Sequence, residues 1–166
     1  MTLVHEDTYE CPRCGEQVQP DDDFCQHCGE LFLLQVPCRT HPDRRATGAC
    51  VICARPFCSE CGGRVGRSFL CNQHGGYEIY EENARVFGSS DASQIEFARD
   101  CLEKAGLHPV VFSRKASPIS LGAPDYTLFR ASGEFDGHIV NEFKLMVPTS
   151  EVLEAEKKLK ELDLAQ

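Results

Sequence analysis

The chain is most constrained by a regular arrangement of cysteine and histidine across residues 11–74. Twelve residues that can ligate a metal occur there as six pairs, and two residues separate the partners of every pair. Ten of the eleven cysteines belong to this set. A structural zinc site takes four such ligands in a tetrahedron, so the pattern predicts three Zn²⁺ per chain. The predicted ligands are Cys11, Cys14, Cys25, Cys28, Cys38, His41, Cys50, Cys53, Cys58, Cys61, Cys71 and His74.

The length of the chain and the crowding of these ligands predict several small domains. Of the 166 residues, 1–37 and 38–76 are too few to form self-sufficient hydrophobic cores, so each segment needs metal to fold. Residues 77–166 hold one cysteine and ordinary apolar content, and we predict that they fold by themselves. A closed four-ligand site has no open position for substrate. No phosphate-binding loop or activated nucleophile is visible either, so we predict no enzymatic activity.

The first residues and the use of cysteine indicate a cytoplasmic protein. Residues 1–7 have neither the basic nor the apolar segment of a secretory signal, and the apolar run 31–34 is far too short to cross a bilayer. Cysteine pairs with two residues between them are typical of metal ligation in a reducing compartment. Disulfides are the alternative for these pairs.

Charge is distributed unevenly along the chain, whose net charge is −9. Residues 1–37 contain one Arg against eight acidic residues, and residues 76–166 are also acidic. Residues 38–75 contain six Arg against two acidic residues. Nucleic-acid binding requires neutralisation of phosphates, so the overall charge disfavours it. The alternative is a nucleic-acid-binding regulator that uses the cluster Arg39, Arg44, Arg45, Arg55, Arg64 and Arg67.

The first metal-binding segment contains two Cys-x-x-Cys-Gly turns, which we call knuckles. Gly15 and Gly29 follow the second cysteine of each knuckle, where a Cβ would crowd the turn. This segment resembles the bacterial zinc-ribbon family, including Phe24 before the second knuckle. The all-cysteine site favours Zn²⁺, with Fe²⁺ as the alternative. His27 lies inside the second knuckle, and we predict an exposed side chain rather than a ligand.

The eight middle ligands permit two pairing schemes. Only four residues separate Cys53 from Cys58, which favours an interleaved arrangement in which the first and third pairs share one metal and the second and fourth share another. Sequential pairing, from Cys38 to Cys53 and from Cys58 to His74, is the alternative. The ligand order resembles the B-box zinc finger, which implies a cross-braced double zinc module. Cys71 departs from animal B-boxes, where His is common at that position.

The segment between the two zinc modules is apolar. It contains Leu31, Phe32, Leu33, Leu34 and Val36. Flexible linkers are rich in Gly, Ser or charge. We therefore predict a strand here that packs the modules together.

Residues 77–166 show alternating helical and strand patterns. Residues 83–88 and 107–112 read as strands, as do 126–131 and 139–147. A helix is predicted between the first two, capped by 89–91 and ended by Gly106, and another follows Pro148 with Thr149 or Ser150 as cap. The predicted apolar helix faces are Ile95, Ala98, Leu102 and Ala105, and Val152, Ala155, Leu159 and Leu162. This order predicts an α+β, ferredoxin-like fold.

Residues 83–163 resemble a prokaryotic signal-transducing domain with a PII-like fold. The resemblance rests on the Leu-Glu-x-Ala-Gly-Leu helix end and on the Val-Pro strand exit. It implies sensing or docking of a ligand or partner. In this domain Cys101 is predicted to be a core thiol rather than a redox sensor. Asp136 and His138 could form an acid/base pair, with simple loop polarity as the alternative. The loop 116–125 is the best place for a contact with a ligand or partner, with a plain connector as the alternative.

The pattern as a whole predicts small zinc-stabilised modules followed by an α+β ferredoxin-like domain. We predict a non-enzymatic adaptor whose zinc modules bind a protein partner and whose C-terminal domain senses or docks. Phe57, Phe69, Arg55 and Arg67 are the predicted contact residues. No membrane association is predicted, and no signature of an oligomeric state is visible.

Overall fold

A computed structural model of the chain describes residues 8–113 and 142–164. It divides into two compact units, Met1–Glu82 and Asn83–Gln166. Both predicted zinc modules lie in the first unit.

The first unit is built from very short strands. Three antiparallel hairpins pair β1 with β2, β3 with β4 and β5 with β6. Strands of two to four residues bury little apolar surface, so these hairpins need another source of cohesion. The seven strands described in this unit are β1 (Tyr9–Glu10), β2 (Gln17–Val18), β3 (Gly48–Ala49), β4 (Pro56–Phe57), β5 (Gly62–Val65), β6 (Ser68–Cys71) and β7 (Ile79–Tyr80).

The predicted strand between the zinc modules is not formed. Leu31 makes an isolated bridge to Phe24, Pro37 makes one to Arg45, and the chain turns between them. These two bridges lie six residues apart and the chain changes direction between them, so the segment cannot run as one continuous strand. As a result Leu33 and Leu34 are 54% and 77% exposed.

The two zinc modules are joined by the second knuckle instead. The N–H of Ala49 donates to Gly29 O at 2.9 Å, and the N–H of Phe69 donates to Cys28 O at 3.0 Å. Gly29 has a φ of +77°, and a Cβ there would stand 2.1 Å from Ala49 O. The absence of a side chain at Gly29 thus permits direct backbone pairing of the modules.

The second unit is an antiparallel sheet with two helices. The strand order is β8-β10-β9, and both helices contact β8 and β10. The ferredoxin-like fold remains a prediction, because residues 114–141 lie outside the described part of the chain, as does the predicted strand 126–131. The elements of this unit are β8 (Asn83–Ser89), α1 (Ala92–Lys104), β9 (Val110–Ser113), β10 (Phe143–Pro148) and α2 (Val152–Glu161).

The first predicted helix begins and ends close to the residues that predicted its two ends. Asp91 is the N-cap and accepts a hydrogen bond from the N–H of Ser93 at 2.8 Å. Gly106 follows the C-cap with a φ of +84°. Ala105 is exposed, contrary to the predicted buried face, because it is itself the C-cap. The next strand begins at Val110 rather than 107, because the N–H of Leu107 bonds back to Leu102 O and closes the helix.

The second helix starts differently from the prediction. Neither Thr149 nor Ser150 caps it, because Thr149–Glu151 form a 3₁₀ turn and α2 begins at Val152 without a side-chain cap. Its buried face is Val152, Ala155 and Leu159, as the periodicity predicts, and Leu162 is half-buried. The described core of this unit is mainly aliphatic, with Phe87 as a buried aromatic residue, and contains no predicted ligand.

Candidate metal centres

The first candidate centre is a cluster of four cysteine sulfurs. Cys11 Sγ lies 3.7 Å from Cys28 Sγ, and Cys14 Sγ lies 3.6 Å from Cys25 Sγ. All four sulfurs lie within 4.8 Å of one another. Zn–S bonds of about 2.3 Å in a tetrahedron place the sulfurs about 3.8 Å apart, so the cluster has the dimensions of a zinc tetrathiolate.

Each knuckle is held in shape by two backbone hydrogen bonds. In the first, the N–H of Gly15 donates to Cys11 O at 2.9 Å and the N–H of Cys11 donates to Glu16 O at 2.8 Å. The second repeats both bonds between Gly29 and Cys25 and between Cys25 and Glu30. These turns place the two sulfurs of each knuckle on one side of the backbone.

The remaining eight ligands form two interleaved centres. The second centre contains Cys38, His41, Cys58 and Cys61, and the third contains Cys50, Cys53, Cys71 and His74. This is the arrangement that the short Cys53–Cys58 gap favours. The sequential groups, Cys38 to Cys53 and Cys58 to His74, are not formed.

Both histidines present Nδ1 to their centres. His41 Nδ1 lies 3.5 and 3.3 Å from the sulfurs of Cys58 and Cys61. In the third centre, His74 Nδ1 lies 3.2 and 3.4 Å from the sulfurs of Cys71 and Cys50. Zinc with typical Zn–S and Zn–N bonds places such atoms about 3.5 Å apart, so both centres fit a Cys₃His zinc site.

The disulfide alternative is not formed. All eleven cysteines lie within the described residues, and all are free thiols. Sulfurs 3.6 to 3.7 Å apart are well beyond the roughly 2.05 Å of a disulfide bond. Each centre has four protein donors and would close around its ion. All twelve predicted ligands lie in these centres, and metal binding by each of them remains a prediction.

Protons would compete with zinc for the buried sulfurs. Burial raises the pKa of Cys28 to about 11 and that of Cys53 to about 12, and it raises the pKa of Cys25 above its usual range. Burial also raises the pKa of Cys11, but hydrogen bonds from the backbone of Cys14 and Arg13 outweigh it and bring the value to about 7. The folded arrangement therefore keeps Cys25, Cys28 and Cys53 protonated near neutral pH in the absence of zinc, and thiols of ordinary pKa in an unfolded chain are mostly protonated there as well.

These shifts predict that zinc affinity rises with pH. Zinc binds the thiolate, so binding at the first centre must release at least the protons of Cys25 and Cys28. Each released proton weakens the apparent affinity about tenfold per pH unit of acidification, which gives about 100-fold or more between pH 8 and pH 7. Competition with a chromophoric chelator across this range measures the slope. A flat profile would contradict protonated thiols in the metal-free state.

Half of the arginines of the middle segment make side-chain contacts within the protein. Arg64 donates to Cys28 O at 3.0 Å and to the carboxylate of Glu30 at 2.6 Å, and Arg67 donates to Cys14 O at 3.0 Å. Arg44 pairs with Glu60. Three of the six arginines thus make contacts within the first unit. Arg67 is nevertheless exposed, and its contact with a partner remains a prediction.

The two aromatic residues that were predicted to be displayed for a partner are buried, so this prediction is wrong. Phe57 is 8% exposed and Phe69 is 3% exposed. The Phe69 ring is enclosed by glycines, since a Cβ on Gly48 or Gly62 would come within 3 Å of it. Both rings are core residues of the zinc modules, while Arg55 is exposed as predicted.

The other candidates from the sequence have mixed outcomes. His27 is no tetrad member, but it is half-buried rather than exposed, with Nδ1 2.7 Å from Glu82 Oε2. Cys101 is half-buried rather than enclosed in the core. Asp136, His138 and the loop 116–125 lie outside the described residues.

One cluster was missed by sequence reasoning. Glu16, His27 and Glu82 each place a donor atom within 4.8 Å of the other two. They are separated by 11 and 55 residues, so no local spacing could reveal them. Within the described ranges, no helix is long and apolar enough to cross a membrane.

Comparison with known proteins identifies one of the modules. Residues 7–32 match the family model of a zinc-ribbon domain, which confirms the zinc-ribbon prediction for the first module. No match was found among curated proteins or among solved structures. The first unit therefore contains a zinc-binding domain.

Proposed function

We propose that the chain is a non-enzymatic adaptor whose zinc-stabilised first unit binds a protein partner. The exposed pair Leu33 and Leu34 carries this proposal. These side chains lie on the turn between the two zinc modules, beside a cavity of about 310 Å³ that they line with Leu31, Ala46 and Arg45. Adjacent large aliphatic residues held exposed next to a cavity are typical of a protein-binding surface.

The closed centres support a structural rather than a catalytic role for the metal. Four protein ligands leave zinc without a position for substrate or water, whereas catalytic zinc keeps one. In this proposal the middle segment is the B-box-like module that its ligand order implies. The second unit is the sensing or docking domain of PII-like type.

The test is a comparison of partner capture by three zinc-loaded proteins. Leu33→Ser with Leu34→Ser removes the apolar pair, and Val65→Ser serves as the control because Val65 is exposed on another part of the same unit. We expect the same proteins to be cross-linked by the wild type and by the control, and to be lost with the double variant. Equal capture by all three, or none by the wild type, would contradict the proposal.

The alternative function is nucleic-acid regulation through the arginine-rich segment. Its support is limited to Arg39, Arg45 and Arg55, since Arg44, Arg64 and Arg67 are paired within the first unit. Binding of a labelled DNA or RNA oligonucleotide that weakens steeply with salt would favour this alternative over the adaptor.

A further inference from the structure

The two ribbon knuckles are each followed by a glutamate, and the two glutamates have different surroundings. Glu30, after the second knuckle, pairs with the guanidinium groups of both Arg13 and Arg64. Glu16 occupies the equivalent position after the first knuckle. Among the described residues it has no arginine or lysine partner, and its carboxylate instead lies beside His27 and Glu82.

The three side chains converge from separate, well-held segments. Glu16 O accepts the backbone hydrogen bond that closes the first knuckle, and His27 lies between two ligands of the first centre. Glu82 has a φ of +65°, which turns the chain at the end of the first unit. One donor atom of each residue lies within 4.8 Å of the other two, and His27 Nδ1 lies 2.7 Å from Glu82 Oε2.

The charge of this cluster favours a cation. The two carboxylates carry two negative charges, in a segment that has eight acidic residues and one arginine over residues 1–37. A divalent ion would balance both of these charges. Imidazole nitrogen with carboxylate oxygens is a donor set that zinc accepts.

We propose that Glu16, His27 Nδ1 and Glu82 form an exchangeable divalent-cation site, separate from the three cysteine-rich centres. Three protein donors leave room for water on the ion, and the side chains of His27 and Glu82 are partly exposed. We expect an ion bound there to exchange more readily than one that is closed in by four protein ligands. This proposal does not depend on the partner-binding role.

The test is calorimetric titration of Zn²⁺ into the full chain after its three cysteine-rich centres have been filled. We expect one further equivalent to bind. Glu16→Gln and Glu82→Gln should each weaken that binding at least about tenfold, the effect expected when a ligand is lost. Asp21→Asn is the matched control, because it removes one exposed carboxylate of the same module outside the cluster.

Two results would overturn the site. One is the absence of heat beyond dilution up to about 1 mM zinc with the wild type. The other is an equal loss of affinity in Asp21→Asn, which would mean diffuse attraction to an acidic surface. Elemental analysis after gel filtration should show three retained zinc ions in every variant, which checks that the variants are folded.

Discussion

Chelation of zinc is expected to unfold the first unit of the chain and to leave the helices of the second unit protected. The core of the ribbon consists of its ligands, since Cys11, Cys25 and Cys28 are buried with Val18 as their one buried apolar neighbour in the cluster. Structural zinc contributes about 10–16 kcal/mol in small zinc modules, which is as large as the total stability of a typical domain. Its removal therefore leaves too little burial to hold the short hairpins.

The second unit has a core that does not involve any predicted ligand. Residues from both helices and the central strand are buried to 2% exposure or less, and this aliphatic packing persists without metal. These residues are Ile95, Ala98, Leu102, Leu145, Met146, Val147, Val152, Ala155 and Leu159.

Hydrogen exchange followed by mass spectrometry, with and without chelator, measures both units in one molecule. Amides of residues 8–82 should lose protection, while those of α1, β10 and α2 retain it. A second experiment compares two cysteine variants by the same measurement. Cys50→Ser removes a buried ligand of the third centre, whereas the control Cys101→Ser removes a cysteine outside all three centres. Protection of residues 8–82 in protein shown to be metal-free would contradict zinc as the source of cohesion.

The metal centres could be predicted from the sequence because their information is local. A pair such as Cys11 and Cys14 lies on one turn, so spacing alone identifies it, and the four-residue gap after Cys53 limits how the pairs combine. Helix α1 was predictable for the same reason, since Asp91, Gly106 and the buried face all lie within 16 residues.

The parts that were mispredicted depend on contacts between distant segments. Phe57 and Phe69 were predicted to be exposed contact residues. Nothing in the sequence next to them indicates the glycines that enclose the Phe69 ring. The apolar linker looked like a strand, but its ends bridge to different segments, which leaves Leu33 exposed. Ala54 shows a further limit, because it takes the left-handed conformation, with a φ of +55°, at the knuckle position where glycine is the usual signal.

Substitution of Gly29 by alanine should destabilise the first unit far more than the same substitution at Gly15. Both glycines follow a knuckle with a positive φ, +77° and +79°, so both variants share a backbone cost of about 1–2 kcal/mol. The surroundings differ. A Cβ at Gly15 meets nothing within 4 Å, whereas one at Gly29 would stand 2.1 Å from Ala49 O and 2.8 Å from Phe69 Cβ.

The Gly29 variant must therefore push the two zinc modules apart. That movement breaks the hydrogen bond from Ala49 N–H to Gly29 O, leaving buried groups unpaired at about 1–3 kcal/mol, and overpacking adds about 1–3 kcal/mol. We expect Gly29→Ala to lower the unfolding free energy of the zinc-loaded protein by about 2 kcal/mol or more beyond Gly15→Ala. Denaturant unfolding, followed by release of zinc to a chromogenic chelator, measures both. If the two variants unfold at the same denaturant concentration, the knuckle is not the junction between the modules, and their cohesion must come from the arginine bridges of Arg64 and Arg67 instead.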